Sequence, residues 1–169
     1  QTLKNSGCRL LWIGAESGSQ KVIDLMDRRV DVHKVREMIQ KAKQLGIETG
    51  TFIMLGYPGE RMADIYETVQ HLKESQPDRF TINLAYPIKG TALYDKIENK
   101  ITSEPGWPFP LDRDIQFERT YKPAFYNMAI RMVYNEVYAD KYRKAGNGIK
   151  FLKHKLKSLA ANSALQFLK

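Results

Sequence analysis

Three short turns carry the side chains and glycines with which this 169-residue chain could hold a ligand. Glu16 and Ser17 lie in the first turn, Gly56 lies in the second, and Tyr86 opens the third. A carboxylate accepts hydrogen bonds from hydroxyl groups, and a glycine allows the backbone to approach a ligand closely. Arg28 could hold a carboxylate through two parallel hydrogen bonds. These residues are therefore the candidates for a binding site.

Each candidate also has a purely structural interpretation. Glycine-rich turns are ordinary turn chemistry, and a single carboxylate such as Glu16 could cap a helix or interact with its dipole. Arg28 is followed by Arg29, and two adjacent arginines are usually solvated. The sequence contains no P-loop motif and no catalytic triad motif. The histidines lie far apart on predicted helices, which argues against a metal site: His33, His71 and His154.

The apolar pattern of the first 95 residues predicts alternating strands and helices that would position these turns. Strands are predicted over residues 9–14, 48–55 and 78–86, and helices over 20–27, 31–45 and 62–75. Asp31 suits the N-cap of the second helix, and Gly46 suits the left-handed residue that ends it. Because parallel strands bring their carboxyl ends to one edge, the three turns are predicted to meet there.

The third predicted strand alternates between an apolar face and a face of small or polar residues. The apolar face around Ile82 is expected to meet helices, and the face around Asn83 to line a barrel interior or to be solvated. Three strands are about half of a small barrel. The predicted fold is an α/β half-barrel of three parallel βα units over residues 1–97, a loop-rich connection over 98–121 and a helical, basic C-terminal extension over 122–169.

Taken in order along the chain, the three turns resemble the radical S-adenosylmethionine (radical SAM) family of enzymes. The segments that carry the resemblance are GAESGSQ at 14–20 with LMDR at 25–28, FIMLGYPGE at 52–60 and YPIKGTALY at 86–94. They are similar to the fourth, fifth and sixth strand regions of the family's partial (β/α)6 barrel. The resemblance covers about residues 7–97 and is closest to the subgroup with a cobalamin-binding domain upstream of the barrel.

The resemblance implies a chemistry and a set of binding residues. In the family, a four-iron four-sulfur cluster held by three cysteines, spaced Cys-x3-Cys-x2-Cys, cleaves S-adenosylmethionine to a 5′-deoxyadenosyl radical. The positions of Glu16 and Arg28 typically reach the ribose and the carboxylate of S-adenosylmethionine. The segment from Ile53 to Gly56 flanks the adenine. The implied cofactor-binding set is Glu16, Ser17, Arg28, Ile53, Gly56 and Tyr86.

The chain departs from the family at the cluster and at one position of the fifth strand. Cys8 is its single cysteine, so this chain cannot supply three cluster ligands. Phe52 stands where some members carry an aspartate, which removes that contact to the ribose. The missing motif and the missing first three strands predict the C-terminal half of a longer protein, whose partner is the upstream half of the same barrel.

For the parent protein, the resemblance implies radical-based methyl transfer or rearrangement of a small-molecule substrate, with cobalamin as a further candidate cofactor. This chain alone is expected to be inactive and to bind no metal. The alternative prediction is a non-catalytic α/β module that binds a ligand or associates with a membrane surface. A Cys-x3-Cys-x2-Cys motif upstream in the parent would decide between the two.

Composition and charge limit the class of protein further. Hydrophobic residues make up 43% and charged residues 27%, which is typical of a globular domain, and with no secretory signal or membrane span the chain is predicted to be cytoplasmic. Residues 1–140 hold 19 basic and 19 acidic side chains, whereas 141–169 hold 8 basic and no acidic ones, so the net charge of +8 lies in the tail. The charge therefore predicts no specific nucleic-acid partner for the body of the fold.

The basic extension is predicted to contain two helices, over 122–145 and 149–168. The large side chains of the first are expected in the core: Phe125, Tyr126, Met128, Met132, Tyr134 and Tyr138. The second combines lysines on one face with an apolar stripe, which consists of Ile149, Leu152, Leu156 and Leu159. Such a helix could contact an anionic membrane surface or pack on the domain with its lysines in water. Packing is the favoured prediction, with a looser attachment than that of the first helix.

Overall fold

A parallel sheet with the strand order β1-β2-β3 forms the centre of the computed structural model, which describes residues 1–103, 106 and 111–169. The strands are β1 (Leu10–Glu16), β2 (Glu48–Leu55) and β3 (Arg79–Leu84). The helices before and between them are α1 (Thr2–Asn5), α2 (Gln20–Leu25), α3 (Val32–Gln44) and α4 (Met62–Ser75). This arrangement confirms the predicted half-barrel of three parallel βα units.

The rest of the described chain consists of helices, loops and one small antiparallel hairpin. It contains α5 (Ala92–Ile97), the antiparallel strands β4 (Ile101–Ser103) and β5 (Gln116–Phe117), and the long helices α6 (Pro123–Lys144) and α7 (Gly148–Phe167). The hairpin lies within the predicted loop-rich connection over 98–121, of which 104, 105 and 107–110 lie outside the described residues. Within the described chain, no helix has both the length and the apolar character needed to span a bilayer.

The two faces of the sheet differ in what covers them. Ile53 of β2 and Ile82 of β3 pack into the core between the sheet and the helices, as the alternation in β3 predicts. The opposite face carries Trp12 and Phe52, whose stacked ring centroids lie 4.6 Å apart and whose exposed fractions are 37% and 42%. Gly50 leaves room for this pair, because a Cβ there would lie 2.5 Å from the Trp12 ring. The interior face of the half-barrel is therefore aromatic and exposed.

Helix α6 covers the sheet, and α7 packs on α6. The predicted core residues Phe125, Tyr126 and Met132 are buried, which confirms their role. Met128 is partly buried against the same core, and Tyr134 stacks on Phe80 of β3 with a centroid separation of 4.8 Å. Tyr138 is instead exposed, so the core prediction is wrong for this residue.

The face by which α7 packs corrects the expectation based on its apolar stripe. Ser158, Ala161 and Leu165 are the buried residues of α7, whereas all four stripe residues are exposed. Glu136 of α6 explains this choice of face, because it accepts hydrogen bonds from Lys155 and Ser158 of α7, each at 2.7 Å. Burial alone would raise the pKa of Glu136, but hydrogen bonds from lysines and from Ser158 lower it to about 2. Ala161 and Leu165 belong to the main core, so α7 packs on the domain as expected, and its looser attachment relative to α6 stays a prediction.

Candidate functional site at the carboxyl edge of the sheet

Glu16 and Arg28 form an ion pair at the carboxyl end of β1. Arg28 Nη1 donates to Glu16 Oε1 at 3.2 Å, and the two side chains are 43% and 17% exposed, respectively. Glu16 has a φ of 59°, and its register with β2 shifts after Gly14. Gly14 provides the space for the pair, because a Cβ there would lie 2.6 Å from Glu16 Oε1. The structure thus brings together the two side chains that the sequence analysis assigned to one ligand.

The turn after β1 is held against α4 by buried hydroxyl groups. Ser17 is fully buried, its Oγ lies 3.3 Å from Thr68 Oγ1, and it accepts the Ser19 N–H at 3.1 Å. Gly18 donates its N–H to Thr68 Oγ1 at 2.9 Å. Ser19 Oγ donates to Asp64 Oδ1, also at 2.9 Å. The hydroxyl of Ser17 therefore belongs to the hydrogen-bond network that fixes this turn.

The turn after β2 is held from its core side by a buried carboxyl group. Gly56, at a φ of 80°, donates its N–H to Glu60 Oε2 at 2.5 Å. Glu60 is completely buried, which raises its pKa to about 8 although the Gly56 N–H acts in the opposite direction. Tyr126 of α6 packs beside them, with its ring 3.3 Å from where a Cβ of Gly56 would lie. Among the described residues, Glu60 Oε1 and the Tyr126 hydroxyl find no hydrogen-bond partner.

The turn after β3 is joined to the end of β2 and to the hairpin. Ala85 donates its N–H to the Leu55 carbonyl at 2.7 Å, which links the ends of β2 and β3. Arg119 Nη2 donates to the Ala85 carbonyl, also at 2.7 Å, and its guanidinium lies 4.1 Å from the centre of the Phe117 ring. Tyr86 follows directly and is 37% exposed. This turn therefore lies at the same edge as the turn after β2.

Three of the predicted residues lie at or just after the carboxyl ends of neighbouring strands, at one edge of the sheet: Glu16, Gly56 and Tyr86. Their common location agrees with the sequence analysis. Ile53 lies elsewhere, because its side chain is 1% exposed and points into the core between the sheet and the helices. At this position, a contact with a ligand at the sheet edge would have to come from the backbone.

Two residues that hold the edge in place were not singled out from the sequence. Glu60 had a local signal, since a carboxylate four residues after a turn glycine can reach back to its N–H. Arg119 has no local signal in the sequence, because it lies after the hairpin and binds the carbonyl of Ala85, 34 residues earlier. Its position depends on the tertiary fold alone.

The residues that are present do not fit an iron–sulfur cluster. The part of the chain that the structure describes has no group of three or more His, Cys, Asp or Glu side chains able to hold a metal. Cys8 is half-buried before β1, and its Sγ lies 3.6 Å from the Leu10 carbonyl. One thiolate cannot replace the several that such a cluster needs.

Comparison with known proteins gives one family match and several partial relatives. The model of the Radical SAM superfamily matches residues 1–85. An uncharacterized methyltransferase of Pyrococcus horikoshii is 25% identical over 109 residues, which are 63% of this chain and 24% of that protein. A tRNA-2-methylthio-N(6)-dimethylallyladenosine synthase of Clostridium botulinum is 27% identical over 99 residues, covering 57% of this chain and 22% of that protein. The chain thus spans about a quarter of the length of these relatives.

Two further matches extend this result. A ribosomal protein uS12 methylthiotransferase of Syntrophomonas wolfei is 34% identical over 97 residues, which are 54% of this chain and 22% of that protein. The solved structure of the archaeal Methanocaldococcus infernus Elp3 with an N-terminal deletion matches with a TM-score of 0.56 and 17% identity. It covers 81% of this chain and 28% of the Elp3 chain, and at this identity the likeness concerns the fold.

Proposed function

The chain belongs to the radical SAM superfamily, and on that premise we propose that it forms the S-adenosylmethionine-binding half of a radical enzyme's barrel. The family's cofactors, S-adenosylmethionine and a four-iron four-sulfur cluster, together supply a 5′-deoxyadenosyl radical. The observation that carries the proposal is the ion pair of Glu16 and Arg28 at the carboxyl edge of the sheet.

Glu16 and Arg28 offer a hydrogen-bond acceptor and a hydrogen-bond donor that suit the two polar ends of S-adenosylmethionine. The Glu16 carboxylate accepts hydrogen bonds from ribose hydroxyls, and the Arg28 guanidinium donates paired hydrogen bonds to the methionyl carboxylate. Without a ligand, each side chain satisfies the other. Because the pair is partly exposed, exchanging it for contacts with a ligand costs little free energy.

The other residues of the edge act by fixing the backbone around the ligand. Ser17 holds the first turn against α4, while Glu60 and Arg119 hold the second and third turns. A backbone that is ordered before binding loses less entropy when the ligand arrives. The exposed ring of Tyr86 and the backbone at Gly56 can then flank the adenine.

In this proposal, the cluster ligands and the remaining strands come from an upstream half of the same barrel. Cys8 cannot supply the ligand set, and β1 is an edge strand of the described sheet, where further barrel strands could pair. The exposed pair of Trp12 and Phe52 lies on the face that would line the barrel interior. The parent would transfer a methyl group or rearrange its substrate through radical steps, which the methyltransferase and methylthiotransferase relatives support. The resemblance to the cobalamin-binding subgroup extends the proposal to cobalamin as a further cofactor.

Replacing Arg28 in the intact parent tests this assignment. Arg28→Ala should weaken S-adenosylmethionine binding about tenfold or more, because truncating one partner of a charge-assisted bidentate pair costs on the order of a few kcal/mol. Titration calorimetry of the parent with its cluster reconstituted measures the effect. Arg29→Ala is the matched control, since Arg29 is adjacent and exposed. Equal dissociation constants for the two variants would show that Arg28 is a solvated surface residue that does not contact S-adenosylmethionine.

A further inference from the structure

Helix α7 has a second apolar face, which the described structure leaves exposed. The exposed fractions of the stripe residues Ile149, Leu152, Leu156 and Leu159 are 86%, 57%, 58% and 50%. Phe167, 90% exposed, lies on the same side of the helix. The four stripe residues recur every three or four positions, so they line one side of α7 over about 15 Å. The residues that pack on α6 lie on the opposite side.

Uncompensated positive charge lies beside this stripe. Lys153 and Lys157 flank it and form no ion pair with any described residue, whereas Lys155 is bound to Glu136 at 2.7 Å. The last 29 residues, 141–169, contain no acidic side chain. A run of exposed aliphatic groups next to unpaired lysines suits a partner that is apolar inside and negatively charged at its surface.

We propose that α7 docks this chain on the surface of an anionic lipid bilayer. The stripe would enter the boundary between headgroups and acyl chains, and Lys153 and Lys157 would lie against the anionic headgroups. The helix is already folded and anchored on α6 through Ala161 and Leu165, so docking does not have to order it. This surface lies outside residues 1–85, the part that matches the family, and is independent of the proposed cofactor site.

The same features fit two other partners less well. RNA would contact the lysines through its phosphates and stack on aromatic rings, which would leave the aliphatic stripe in water. A second copy of the chain could cover the stripe but would bring the unpaired lysines of both copies together. The combination of aliphatic stripe and lysines therefore favours the bilayer.

Cosedimentation of the full chain with vesicles tests the proposal. The wild type should bind vesicles of phosphatidylcholine and phosphatidylglycerol more tightly than vesicles of phosphatidylcholine alone, and salt should weaken this binding. Leu152→Glu combined with Leu156→Glu should lower the partition coefficient about tenfold or more. Lys153→Gln combined with Lys157→Gln should lower it about thirtyfold on the anionic vesicles.

Leu3→Glu combined with Leu111→Glu is the matched control, because these leucines are exposed to a similar extent, 52% and 48%. Circular dichroism checks that every variant keeps its helical content. Absent binding to anionic vesicles, or equal loss in the control and in the stripe variant, would overturn the proposal. Two other results would also overturn it. In the first, the wild type binds no vesicles but forms a concentration-dependent dimer that the stripe variant abolishes. In the second, the wild type binds no vesicles but binds tRNA through Lys153 and Lys157.

Discussion

The Glu60 carboxyl group is protonated at neutral pH, because burial raises its pKa to about 8 from an ordinary value of 4.5. Its Oε2 nevertheless accepts the N–H of Gly56, so the neutral group still holds the turn after β2. In the window from about pH 4.5 to 8, the folded chain keeps a proton that the unfolded chain loses. The free energy of unfolding therefore falls as the pH rises through this window.

Glu60→Gln should remove this pH dependence. The Gln carbonyl can accept the Gly56 N–H and does not titrate, so the melting temperature of the wild type should fall relative to the variant between about pH 5 and 8. Thermal denaturation followed by circular dichroism over this range measures the difference. Glu67→Gln, at an exposed position of α4, is the control. A difference between wild type and Glu60→Gln that stays constant with pH would contradict a neutral Glu60.

Among the elements, the turn between β1 and α2 packs on α4 too closely for a side chain. A Cβ at Gly18 would lie 2.4 Å from Thr68 Cα and 2.6 Å from the Glu67 carbonyl oxygen. Gly18→Ala should therefore lower the free energy of unfolding by about 1–3 kcal/mol, as overpacking does elsewhere. Urea denaturation measures this loss. Gly148→Ala is the matched control, since nothing lies within 4 Å of its Cβ, and an equal loss for both would show that the turn can move away from α4.

Helix α7 contains two leucines, one buried and one exposed, whose replacement should affect the free energy of unfolding very differently. Leu165 is 0% exposed in the main core, whereas Leu159 is 50% exposed in the stripe. Leu165→Ala should lower the free energy of unfolding by about 2–5 kcal/mol, and Leu159→Ala should change it by about 0.5 kcal/mol or less. Chemical denaturation of the two variants tests this difference. Similar values would mean that α7 is loosely attached, as its charge alone suggests.

At the scale of the whole molecule, the chain combines an edge proposed to bind S-adenosylmethionine with a single thiol. The purified chain, treated anaerobically with iron and sulfide, should retain far less than one four-iron cluster per chain, because Cys8 cannot supply the thiolates that a cluster needs. Iron and sulfide assays measure the content. Cys8→Ser should leave it unchanged. A stoichiometric cluster that disappears in Cys8→Ser would contradict the proposal that the ligands lie upstream.

The sequence by itself determined the order and type of the main elements and the common location of the three turns. Apolar periods of two and nearly four residues are local properties, so they identify strands and helices without knowledge of their neighbours. The cap at Asp31, which accepts two backbone N–H groups, and the left-handed Gly46 are equally local. Parallel strands must end at one edge, which places Glu16, Gly56 and Tyr86 together once the strands are known.

Only the tertiary structure decided which apolar faces and polar side chains are buried and which stay exposed. Helix α7 has two apolar faces, and Glu136 of α6 selects the face with Ser158 and leaves the stripe in water. Likewise, Ser17 is turned inward by Thr68, and Arg119 reaches the third turn from the chain that follows the hairpin. These outcomes depend on contacts between residues far apart in the chain. A side chain is buried or paired only where another part of the chain covers it or binds its charge, and the local sequence does not specify that partner.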